Sequence, residues 1–253
     1  MTVRLLPDDF EDLVRQAVQV FWSSRSGGSQ TQGGTRGNVI GGKNLDGFLG
    51  VVLAVARHCG LSDAEVFTTG RTNLTLPGYY RPNKNWDVVI VHEHRLIAVL
   101  EFKSQVGSFG NNFNNRSEEV IGSASDLWVA ARKGAFHPTT HKGHPGGEAP
   151  DPRAPFLGYL MLLQECAGSL SPVKADSPHY PLFPEFRGAS YAERYKILCE
   201  RLMEQSLYGA ASLMLSPETS GNAPGQWRSL SEATDVRNLF TQLAAQLLAA
   251  VQQ

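Results

Sequence analysis

Residues 85–103 read Asn-Trp-Asp-Val-Val-Ile-Val-His-Glu-His-Arg-Leu-Ile-Ala-Val-Leu-Glu-Phe-Lys. Two apolar, β-branched runs, 86–92 and 96–102, flank a short polar break, the pattern of a β-hairpin. The second run is unbroken from Leu96 to Leu100, which predicts a central strand buried on both faces, yet it ends on Glu101 and Lys103. Charges at the end of such a strand cost several kcal/mol when unpaired, so they must be compensated where they stand. Side chains alternate along a strand, and Glu101 and Lys103 therefore share a face. Asp87 precedes that pair, with thirteen residues lying between them. It lies opposite Glu101 only if the connection is odd-numbered and centred on His94, or if a bulge absorbs one residue. A two-residue Glu93-His94 turn with regular pairing would instead set Asp87 against Leu100. The expectation is a three- or five-residue turn, or a bulge.

Asp87 and Glu101 offer hard oxygen donors for Mg²⁺, an ion that keeps positions open for water and phosphate, and Lys103 adds a point charge beside them. The competing reading is a strand-end ion pair with Asp87 as a turn residue. On these residues alone both stand.

Outward from the hairpin, residues 8–22 carry Phe10, Leu13, Val14, Ala17, Val18 and Phe21 at helical spacing. A second helix is expected from about Asn44, a good cap, to Gly60, and a third over 116–133, stopping at Gly134. The third helix is expected to start at a cap on Asn115 or Ser117. Residues 156–163 read as a buried strand, and strand, crossover helix, strand implies a parallel pair. Ser190 and Glu193 form a capping-box pattern, 212–215 an edge strand and 235–251 a last helix. The fold class is α/β: a mixed central β-sheet flanked by helices, in a single domain over 1–253 with mobile loops at about 23–42 and 135–155.

The chain of 253 residues has 23 Lys+Arg against 24 Asp+Glu, a net charge of -1 and 42% hydrophobic residues. That balance excludes a protein that coats nucleic acid by charge alone. Three cysteines, an odd number far apart, make no disulfide framework. No apolar run approaches the ~18 residues of a membrane helix, and four acids in the first twelve residues argue against a secretory leader. A cytoplasmic protein with no membrane partner is expected. Residues 37–44, Gly-Asn-Val-Ile-Gly-Gly-Lys-Asn, nearly spell a phosphate-binding loop but place Asn44 where Ser or Thr would hold a metal, so nucleotide hydrolysis is rejected. His137, His141 and His144 lack a cysteine partner and read as loop residues rather than zinc ligands. Trp86 and Trp128 read as packing residues.

After Lys103 comes Ser-Gln-Val-Gly-Ser-Phe-Gly-Asn-Asn-Phe-Asn-Asn-Arg-Ser-Glu-Glu over 104–119. Together with Trp86-Asp87 before it and Phe156-Leu157-Gly158-Tyr159 after it, this stretch resembles the XhoI-type restriction endonucleases, a branch of the PD-(D/E)xK nuclease superfamily. The resemblance is strongest over 81–128, and Asn-Trp-Asp departs from a literal Pro-Asp while keeping the acid. It implies that Asp87 and Glu101 hold the metal and that Lys103 positions water and stabilises the phosphate. It also implies a Mg²⁺-dependent enzyme that cuts double-stranded DNA as a homodimer at CTCGAG, leaving 5′ overhangs and 5′ phosphates, in a prokaryotic cell protected by a cognate DNA methyltransferase. Asp46, in the first turn of the second helix, is a candidate third acid, although the helix dipole explains it as well. Gln105, Asn111, Asn112, Asn114, Asn115 and Arg116 are five amides and an arginine within twelve positions, residue types that pair with adenine and guanine edges, and are the candidate DNA-binding set. Positive charge is expected to concentrate around Lys103 and Arg116. A repair or recombination nuclease on the same core, and a non-catalytic DNA-binding module, are the rival readings.

Overall fold

The structure is a computed structural model that describes residues 4–26, 45–136, 154–218 and 224–252. The hairpin forms as strands β4 (Val88–His92) and β5 (Arg95–Gln105). Its turn is the two residues Glu93 and His94, both at positive φ (48° and 63°), as in the mirror-image turns whose twist matches paired strands. Beside the turn Val91 pairs with Leu96, but the next pair is Ile90 with Ala98, so Ile97 is an extra residue on β5. That bulge supplies the odd residue which the spacing of the two acids requires. One step beyond the last pair, Val88 with Leu100, Asp87 stands across from Glu101.

Three short strands precede the hairpin: β1 (Val66–Phe67), β2 (Thr75–Pro77) and β3 (Asn83–Asn85). The strands β6 (Phe156–Gln164) and β7 (Ala210–Ser216) follow it. The main sheet runs β1-β4-β5-β6-β7, antiparallel on the β1 side and parallel from β5 through β7, while β2 and β3 pair separately. The expected parallel pair is therefore β5 with β6, joined by helix α3 (Phe109–Arg132). Alternate residues feed two layers. Val88, Ile90, Ala98, Leu100 and Phe102 pack with α1 (Phe10–Ser26), α2 (Asp46–His58) and α6 (Val236–Val251). Val89, Val99, Tyr159 and Met161 pack with α3 and α5 (Tyr191–Glu204). A four-residue helix, α4 (Ala167–Leu170), follows β6. This is the mixed sheet flanked by helices that the sequence predicts, and β7 is an edge strand, buried along its whole length.

Local signals account for several ends. The Ser190 hydroxyl accepts the Glu193 N–H at 3.2 Å while the Glu193 carboxylate accepts the Ser190 N–H at 2.7 Å, a complete capping box. Asp235 caps α6 through the Arg237 N–H at 2.7 Å. Other ends differ from expectation. Helix α1 continues to Ser26, past the last apolar residue of its stripe. Helix α3 starts at Phe109 rather than Arg116, with Ser108 in the left-handed region before it and no side-chain cap. Neither Asn115 nor Ser117 is a cap: both are inside the helix, and the Ser117 hydroxyl donates to the Phe113 carbonyl at 2.9 Å. The reason is tertiary. Phe109 and Phe113, one turn apart, meet α5, the first stacked on Tyr191 and the second edge-on to Tyr195, and Gly110 permits that approach, since a Cβ there would lie 2.8 Å from the Tyr191 hydroxyl.

Residues 27–44 and 137–153, which hold most of the two expected loops, Asn44, the phosphate-loop-like segment and the three histidines, lie outside the described residues. Cys59, Cys166 and Cys199 are free thiols. Among the described residues no helix is long and apolar enough to cross a membrane.

Candidate active centre

Strand β5 carries Glu101 and Lys103 onto the face that α3 covers. Glu101 is 1% exposed. Its Oε1 accepts from the Nζ of both Lys84 and Lys103 at 2.9 Å, while its Oε2, equally buried, has no hydrogen-bond partner. A buried carboxylate oxygen left bare is costly, and native folds seldom retain one without a use for it. Lys103 also reaches the Oε1 of Glu119 on α3 at 2.9 Å, and Glu119 Oε2 binds Arg116 at 2.9 Å. Lys84, Glu101, Lys103, Glu119 and Arg116 thus form one alternating chain of charge. Burial alone would lower the pKa of Lys103, but Glu101 and Glu119 hold it above the ordinary lysine value. Burial likewise works against the Glu119 carboxylate, and the two cations beside it bring it below its usual range.

Asp87 belongs to the same group from the other strand. Its N–H donates to the Leu100 carbonyl at 3.3 Å and its Oδ2 accepts the Phe102 N–H at 2.7 Å, which ties the residue across the hairpin end. Burial, reinforced by the negative charge of Glu101, raises its pKa above the normal carboxylate value despite that hydrogen bond and the lysines. Asp87 also lines a cavity of about 110 Å³ with Asp46, Leu49 and Phe102, so the first turn of α2 brings the candidate third acid to the same place.

Two hard carboxylates, one with an unpartnered buried oxygen, suit a divalent ion that takes one or two protein ligands and completes its shell with water and phosphate. Among the described residues no group of three His, Cys, Asp or Glu is arranged to hold a metal by itself.

Of the candidate DNA-binding residues, Asn111, Asn114 and Asn115 are exposed and recur at helical spacing along one side of the first turns of α3. Arg116 is half-buried against Glu119, with its Nε unpartnered. Asn112 donates to the Ser108 carbonyl at 3.1 Å. Gln105 is 4% exposed; its amide donates to the Gly107 carbonyl at 2.5 Å and accepts from the Tyr195 hydroxyl at 3.5 Å. It shapes the turn into α3 instead of presenting an amide to solvent. Lys103 and Arg116, around which positive charge is expected to gather, are both paired with Glu119.

Sequence reasoning missed Lys84 and Glu119. Glu119 had a visible signal, the Arg116-x-x-Glu119 spacing of a helical ion pair. Lys84 had none, because it arrives on a three-residue strand; its ammonium lies 4.4 Å from the centre of the Trp86 ring, and Trp86 itself is buried, as expected. Trp128 also packs, donating to the Leu207 carbonyl at 2.7 Å.

Comparison with known proteins gives a consistent answer. The profile of the family described as restriction endonuclease XhoI matches residues 23–229. The chain is 45% identical over 215 residues to the Type II restriction enzyme XhoI of Xanthomonas vasicola, covering 83% of this chain and 82% of that one. It is 44% identical over 194 residues to the Type II restriction enzyme BstVI of Geobacillus stearothermophilus, covering 74% and 80%. With the Type II restriction enzyme AbrI of Azospirillum brasilense it shares 44% identity over 181 residues, covering 68% and 74%. No solved structure matches.

Proposed function

The chain belongs to the XhoI restriction endonuclease family, and from that premise we propose that it is a Type II restriction endonuclease that hydrolyses phosphodiester bonds in palindromic double-stranded DNA. In this reading it works with Mg²⁺ as a homodimer, one centre per strand, because a palindrome presents the same half-site twice. The site is CTCGAG, cut to leave 5′ overhangs and 5′ phosphates, in the cytoplasm of a prokaryote whose own DNA a cognate methyltransferase protects.

The observation that carries the reading is the bare Oε2 of Glu101, held rigidly by two lysines on its other oxygen and set across the hairpin from Asp87. Asp87 and Glu101 would hold the ion, with Asp46 beside them. Bound there, Mg²⁺ supplies charge neutralisation on the phosphate and a more acidic water. Lys103, pinned between Glu101 and Glu119, keeps a full positive charge where the pentavalent phosphate develops negative charge. Lys84 neutralises Glu101 from the opposite side. Four acids (Asp46, Asp87, Glu101, Glu119) stand against three cations (Lys84, Lys103, Arg116), so a divalent ion would turn the centre net positive, as a phosphate needs. Asn111, Asn114, Asn115 and Arg116 are the proposed base and backbone contacts. Gln105 and Asn112 act by fixing the turn that aims them.

Digestion of a sequenced phage DNA with Mg²⁺, followed by mapping of the ends, tests activity, site and cut geometry together. Discrete fragments ending at CTCGAG are expected. Cleavage that survives Asp87→Asn, Glu101→Gln and Lys103→Ala as single changes overturns the catalytic assignment, and nicking that follows DNA structure instead of sequence supports the repair-nuclease reading.

A further inference from the structure

The hairpin of β2 and β3 has two ends. Its base brings Lys84 to Glu101. Its tip presents Tyr79 at 52% and Tyr80 at 73% exposure, packed edge-on with ring centres 5.1 Å apart. A pair of neighbouring aromatics on an exposed turn would ordinarily be mobile and prone to fold back. Here it is held. Asp126, on α3 with its side chain 6% exposed, accepts the N–H groups of both Tyr79 and Tyr80 on Oδ1 at 2.7 Å and the Arg81 Nε on Oδ2 at 2.8 Å. Arg81 extends the network to the Ser123 hydroxyl at 3.4 Å. Gly78 is required for this arrangement, because a Cβ there would lie 2.4 Å from Asp126 Oδ2 and 2.7 Å from the Arg81 carbonyl. A buried, fully bonded carboxylate and an obligatory glycine thus fix two aromatic rings in solvent.

Resting on the nuclease reading above, we propose that Tyr79 and Tyr80 form a second DNA-contacting element, which packs its rings against the bases or sugars of the duplex beside the cut. Continuity with the active centre favours DNA over a protein partner. Helix α3 carries both Glu119, bonded to Lys103, and Asp126, which holds the tip, so tip and centre form one piece. The seven residues from Glu119 to Asp126 rise roughly 10 Å along the helix, at about 1.5 Å each, which is close to three base-pair rises of about 3.4 Å. A duplex whose phosphate sits at Asp87 and Glu101 passes within reach of the tip. Rings with an apolar face and a hydroxyl edge suit stacking or wedging that tolerates any sequence, and this complements the amides on α3, whose chemistry suits base edges. Asp126 is then a positioning residue: it touches no DNA and holds the rings that do.

The test is fluorescence anisotropy on a labelled duplex carrying the cleaved sequence, with the full chain and Ca²⁺ in place of Mg²⁺, read beside thermal melting and sedimentation. Tyr79→Ala/Tyr80→Ala is expected to weaken binding by about tenfold or more with the melting temperature and oligomeric state unchanged, while Tyr80→Phe, which keeps the ring, binds like the parent. Binding by the double variant within twofold of the parent, where the parent still cuts, overturns this proposal alone. A double variant that loses its oligomeric state overturns it in favour of a subunit contact. A parent chain that neither binds nor cuts any duplex removes the nuclease reading and this proposal together. If the double variant melts early, the single change Tyr80→Ala takes its place with the same criteria.

Discussion

Two buried carboxylates stand at opposite ends of one hairpin. Asp126 at the tip has both oxygens satisfied, by two backbone N–H groups and a guanidinium. Glu101 at the base has one oxygen shared by two lysines and the other bare. Both are almost wholly removed from solvent and both face cations, so neither burial nor charge separates them. Completeness of hydrogen bonding does. An acid whose every lone pair is matched has finished its work when the chain folds. An acid with an oxygen left over has a further partner to meet.

The largest expected effect breaks the comparison at the end we propose to be catalytic. Losing a ligand that supports several kcal/mol of transition-state stabilisation costs roughly 10³-fold in rate, so Glu101→Gln and Asp87→Asn are each expected to lose at least that much cleavage, measured as linearised plasmid per minute. Next comes the structural end. Asp126→Ala strands two N–H groups and a guanidinium and is expected to lower unfolding free energy by about 2–4 kcal/mol in urea titration. If Asp126→Ala proved harmless to stability, completeness of bonding would not mark a structural acid.

Titration separates the two ends again, with opposite signs. Burial works against the Asp126 carboxylate, yet the N–H groups of Tyr80 and Tyr79 and the Arg81 guanidinium hold its pKa below the usual value. Its contribution is complete above the unfolded value near ~3.9 and is lost as pH falls through the lower folded value. Asp87 behaves the other way, because burial raises its pKa. Its ionisation penalises the folded state as pH rises from ~3.9 through the elevated value, so the metal-free Asp87→Asn variant is expected to melt higher than the parent at neutral pH. Urea midpoints taken across the acid range in a chelating buffer check both slopes. The smallest effect is expected at Lys84. Lys84→Met leaves Lys103 on Glu101 Oε1, and a loss of about tenfold in cleavage, the scale of one charge-assisted hydrogen bond of ~1.5 kcal/mol, is read from initial rates.

The grouping of Asp87, Glu101 and Lys103 was legible because its signal is local. Glu101 and Lys103 end an apolar run, and the parity of the spacing to Asp87 required an odd turn or a bulge; the bulge at Ile97 is the solution adopted. What stayed hidden depends on residues remote in sequence. The early start of α3 comes from Phe109 and Phe113 meeting Tyr191 and Tyr195, which intrinsic propensity over a run of Asn and Gly does not foretell. Strands β2 and β3 are three residues each, too short for a period of two to register, and Lys84 and the tyrosine tip were hidden with them. Gln105 looked like its neighbouring amides, but lying on the buried side of β5 it is bonded within the fold.

The bulge also sets how this chain can change in length. With a two-residue turn, the segment between Asp87 and Glu101 holds one residue more than regular pairing uses, and that surplus is Ile97. A gene that loses one codon there can close the ladder and still leave the acids facing each other. A gene that gains one on β4, opposite Ile97, closes it equally, because the two strands then match in length on either side of the turn. Shortening on one strand and lengthening on the other are therefore equivalent as inheritances, and what the facing acids fix is the parity of the hairpin and not its length.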